Sequence, residues 1–164
     1  MSPVWPLCFK YTGSVLGKGF IAQIELCGRV LAIQDVDGVW LNGVTPAAMA
    51  VTAPTISAAC PVHRDALTKI FIDFAQESAN FEEFEVCLRE FFEQADDEID
   101  EWNAAVARIE AGKETIPEGL QRCPNPEVGL KVTRLKMEQV TPADNPLVHR
   151  ENQELYAAAL PKAA

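Results

Sequence analysis

The sequence predicts an α+β fold: a small antiparallel sheet with one packed helix, followed by an acidic helical arm. Three observations predict it. Residues 19–52 form short apolar runs, alternating in part and separated by turn signals, as strands with one face in a core require. From Ala59 onward the apolar spacing changes to three and four residues, the period of an amphipathic helix. The whole net charge of −10 falls between Glu77 and Glu101, where eleven acids face one base, Arg89, while the remaining residues balance at thirteen acids and thirteen bases.

The elements follow in order. Leu7 to Thr12 reads as an edge strand, entered through Pro3 and Pro6. Gly19–Leu26 is a strand, Cys27-Gly28 a turn, and Arg29–Gln34 the next strand. Asp35-Val36-Asp37-Gly38 marks a hairpin, because Asp-Gly adopts the positive φ that tight turns need. Val39–Val44 and Ala48–Thr52 supply two more strands. Ala59, Val62, Ala66, Ile70 and Phe74, joined by Leu67 and Phe71, form the apolar face of a helix with Pro61 in its first turn.

Asn80 has the character of an N-cap, with Glu83 as capping-box partner. A stripe then runs through Phe81, Phe84, Leu88, Phe91 or Phe92, Ala95, Ile99, Trp102, Val106 and Ile109. It fits one long helix, or two with a break near Asp96-Asp97, and Gly112 is the natural stop. Residues 113–128 read as an extended loop, Leu130–Met137 as a half-exposed strand, Thr141–Pro146 as a turn, and Leu147–Leu160 as a weak helix. The expected units are 1–79 (sheet plus helix), 80–112 (acidic arm) and 113–164 (loop, strand and tail).

Composition narrows the partner class. No apolar run approaches the ~20 residues of a membrane span, and Met1–Pro6 lacks the basic and apolar regions of a secretory signal. Five dispersed cysteines, Cys8, Cys27, Cys60, Cys87 and Cys123, without a C-x-x-C, read as reduced thiols, so the cytoplasm is the expected compartment. A negative field repels nucleic acid and anionic membrane and favours a basic protein partner.

Motifs for chemistry are sparse. Gly13–Gly19 is one residue short of a phosphate loop and has no Ser or Thr after Lys18. Cys60 and His63 could pair on a first helical turn, but i,i+3 neighbours rarely present attack geometry; a structural cysteine and a surface histidine are expected. No spacing joins them to Cys87 and His149 as metal ligands, and the acids of 77–101 lack the alternating pattern around glycine of a calcium loop. No metal, cofactor or catalytic residue is expected. Lys131, Arg134 and Lys136, the one basic cluster, are expected to pair with the acidic arm within the molecule or across a dimer.

The order hairpin, strand, helix between Arg29 and Ser78 resembles the HicB-like antitoxin fold, a partial RNase H-like sheet. Arg29–Ile33 is similar to its first strand, Asp37-Gly38 to its turn and Val39-Trp40-Leu41 to its second strand. Gly43–Pro46 lies where the family turns toward a short third strand, and Thr55–Ala59 resembles its threonine-started helix. Pro54 stands where the family has glycine, and no operator-binding segment follows. The resemblance implies a non-enzymatic, antitoxin-like interaction module.

The expected function is therefore protein binding by electrostatic steering and hydrophobic docking. The candidate contact residues are Glu82, Glu83, Glu85, Glu90, Glu93, Asp97, Glu98, Asp100, Glu101, Phe91 and Trp102. The alternative is a dimeric structural or housekeeping protein whose arm serves self-association, since an exposed apolar stripe needs a cover. A thiol enzyme using Cys60 and His63 stands third.

Overall fold

The computed structural model describes residues 4–46, 49–93, 98–113 and 128–135, and the backbone of 147–157. Strand β1 (Val4–Gly17) pairs along its whole length with strand β2 (Phe20–Asp35), from Gly17 on Phe20 to Val4 on Ile33, through the two-residue turn Lys18-Gly19, where Gly19 takes φ 74°. The chain returns as β3 (Gly38–Thr45) and β4 (Ala50–Ala53), then enters helices α1 (Ile56–Glu77), α2 (Phe81–Phe92) and α3 (Glu98–Glu110). Strands β5 (Gly129–Leu135) and β6 (Leu147–Ala157) complete one antiparallel sheet in the order β4-β3-β2-β1-β6. β5 pairs with Ile21–Cys27 of β2 and β3 with Arg29–Asp35, so the two lie end to end along the same edge of β2. The fold is α+β.

The expected Asp35–Gly38 hairpin is present: Asp35 Oδ1 accepts from the Val36 N–H at 2.6 Å, and Gly38 takes φ 144°. Four other expectations need correction. Cys27-Gly28 is not a turn, because β2 runs through it. A Cβ on Gly28 would lie 2.2 Å from the Thr45 carbonyl oxygen and 2.6 Å from the Phe9 ring, so glycine permits a close approach where β2 changes partner. β1 is an interior strand, flanked by β2 and β6. Leu147–Ala157 is strand β6 rather than helix; pairing it satisfies the second row of backbone groups on β1. Pro61 is the sixth residue of α1, since Thr55 caps the helix earlier, its side chain accepting from the Ala58 N–H at 3.1 Å.

Side chains alternate across the sheet and build two cores. Leu7, Phe9, Tyr11 and Val15 of β1 share a face with Phe20, Ala22, Ile24, Leu26 and Val30 of β2, and this face packs on α1 and α2. The opposite face presents Cys8, Leu31 and Val44, which α3 covers with Trp102, Ile99 and Val106. The helices therefore lie on both sides of the sheet. The buried line of α1 is Ala59, His63, Leu67, Thr68, Phe71 and Ala75, while Val62 is 42% exposed. That line is displaced from the predicted stripe toward two residues that hydropathy counts as polar.

Candidate functional site: the outer face of α2

α2 begins as the sequence predicts, with Asn80 Oδ1 accepting from the Glu83 N–H at 2.8 Å. Glu82 and Glu83 then lie in its first turn, where the positive end of the helix dipole favours carboxylates. Aromatic contacts fix the rotation of the helix about its axis. Phe20 meets Phe81 and Phe84 at ring distances of 5.9 and 5.4 Å, and Phe91 meets Phe71 and Phe74 at 6.3 and 5.7 Å. With Phe84, Leu88 and Phe91 held inward, Glu82, Glu83, Val86, Glu90 and Glu93 face solvent.

At 3.6 residues per turn these five positions fall within an arc of about 100°, with Val86 near its middle. Val86 is 54% exposed, an apolar centre within a rim of carboxylates. Arg89 borders the arc and pairs with Glu85 at 3.5 Å, an i,i+4 bridge. Among the described residues, no cation pairs with Glu82, Glu83, Glu90 or Glu93.

The remaining candidate residues are placed elsewhere. Asp100 and Glu101 are exposed and Glu98 is half-buried, all on α3, across the sheet from α2. Asp97 lies outside the described residues, as do Asp96, Cys123, Lys136, the loop residues 114–127 and the turn 141–146. The described acids of α2 and α3 thus lie on two sides of the sheet. Phe91 and Trp102 are buried on opposite faces of the sheet. The Trp102 Nε1–H donates to the Leu7 carbonyl at 3.2 Å, and the Arg29 guanidinium lies 4.8 Å from the Trp102 ring centre. Little of either aromatic reaches the surface of the folded chain. Among the described residues, the stripe that called for a second copy packs on the chain's own sheet and on α1.

Among the described residues, Lys131 and Arg134 do not pair with the carboxylates of α2 or α3. Lys131 pairs with Glu25 on the neighbouring strand at 3.8 Å. Arg134, on the other face of β5, donates to the Gly19 carbonyl at 3.4 Å and lies over the Phe81 ring at 6.0 Å.

Cys60 and His63 sit in different surroundings. His63 is buried, not at the surface, and meets the Phe9 ring edge-on at 4.7 Å. Burial pushes the half-buried Cys60 thiol above its ordinary pKa, partly offset by the Arg64 guanidinium, so the thiol keeps its proton at neutral pH. Cys8, Cys27, Cys60 and Cys87 form no disulfide. Among the described residues, no group of three or more His, Cys, Asp or Glu is placed to hold a metal, and no helix is long and apolar enough to cross a membrane. An open cavity of about 320 Å³ lies between Trp5, Gln34, Val39 and the start of α1.

The exposed valine at the centre of the α2 face is the feature that sequence reading missed. Its signal was available: Val86 falls off the Phe84–Leu88–Phe91 line, so a helix packed on that line must expose it. No family model matches this chain, and neither a curated protein nor a solved structure does.

Proposed function

We propose that the chain is a non-enzymatic, HicB-like protein-interaction module that docks a basic protein partner on the outer face of α2. The observation that carries this reading is the set Glu82, Glu83, Glu90 and Glu93 around the exposed Val86. A basic partner is steered by the carboxylates and anchored on the apolar centre. The HicB-like part rests on the order β2, β3, β4, α1 with Thr55 as helix cap. On that reading the remaining strands and helices are additions around the antitoxin-like unit.

The test is a tagged pull-down from native lysate at moderate salt, using the wild-type chain and an E82Q/E83Q/E90Q/E93Q variant. Support is a stoichiometric basic protein recovered by the wild type and lost both with the variant and at high salt. A partner retained equally by the variant, or recovery of the bait alone, overturns the reading.

One observation favours the second reading, a self-associating structural protein. Trp40 is 44% exposed on β3 beside the edge strand β4, where it pairs with Thr52. Self-association would then run through that edge, and a mass that doubles with concentration and reverts in W40S would identify it.

A further inference from the structure

We draw no further inference here: the strongest candidate, the open cavity between Trp5, Gln34 and Val39 of the sheet and the first turn of α1, offers a helix N-terminus in a surface hollow, and nothing in the structure shows what ligand it takes.

Discussion

The Tyr11 hydroxyl donates to Thr68 Oγ1 across 2.8 Å in the core between β1 and α1. The direction follows from the second contact of Thr68. Its single hydroxyl proton points at the Arg64 carbonyl, 3.0 Å away, leaving its lone pairs for the tyrosine. The pair explains why a threonine lies on the buried line of α1, and it ties that helix to one position along β1. Tyr11→Phe is expected to cost roughly 0.5–1.5 kcal/mol in chemical denaturation. A double-mutant cycle with Thr68→Val should show a coupling of at least about 0.5 kcal/mol. Additive losses would mean that the two side chains do not depend on each other.

Gly28 tests the close approach within β2. Gly28→Ala is expected to destabilise by roughly 1–3 kcal/mol, toward the upper end because the new methyl meets a backbone carbonyl. Gly129→Ala is the control: its Cβ meets nothing within 4 Å. That change should be neutral, or stabilise by up to about 1 kcal/mol through the unfolded state. Equal melting shifts for the two variants would remove the packing explanation.

Local chemistry was legible in the sequence where it acts over a few residues. The Asp35–Gly38 turn, the Asn80 cap and the Gly112 stop all follow from it; the stop closes with Gly112 at φ 75° and the Lys113 N–H on the Arg108 carbonyl. Gly28 was misread because a glycine reads the same whether it turns the chain or lets another strand pass. Leu147–Ala157 was misread because its strand character comes from β1, distant in sequence. His63 and Thr68 entered the core through partners, Phe9 and Tyr11, that hydropathy does not count. The α2 acids were legible as charge. Their separation from those of α3 was not, since period alone does not say on which side of a sheet a helix lies.

The placement of α3 has an optical test. In a chain with Trp102 as the single tryptophan (W5F/W40F), emission is expected to be blue-shifted and weakly quenched by acrylamide until the protein unfolds, as its 6% exposure requires. With Trp40 as the single tryptophan, quenching should be strong in the native state. A freely quenched Trp102 would show α3 standing away from the sheet.

Cys60 makes a pH prediction of definite sign. Because burial raises its folded pKa, the folded chain holds the thiol proton at pH values where the unfolded chain has begun to lose it. Stability is therefore unaffected below the ordinary thiol range and declines as pH rises through it toward the folded value. Alkylation at neutral pH should be slower for Cys60 than for the same cysteine in the denatured chain. Arg64→Ala should slow it further, since Arg64 is the group that lowers the pKa. Faster alkylation of Cys60 in the folded chain would reopen the thiol-enzyme reading.

Val86 separates the two parts of the proposed docking surface. Val and Ser have similar helix propensities, and the side chain is 54% exposed, so V86S should change stability by no more than about 0.5 kcal/mol. An apolar contact at the centre of an interface acts after encounter. V86S should thus raise the dissociation rate of the captured basic partner with the association rate unchanged. Neutralising the rim in E90Q/E93Q should do the reverse, lowering the association rate and flattening its dependence on salt. Both sets are read from binding kinetics at two ionic strengths on the full chain. If the two variants shift the same rate, or neither shifts any, the valine and the carboxylates do not work as centre and rim of one surface.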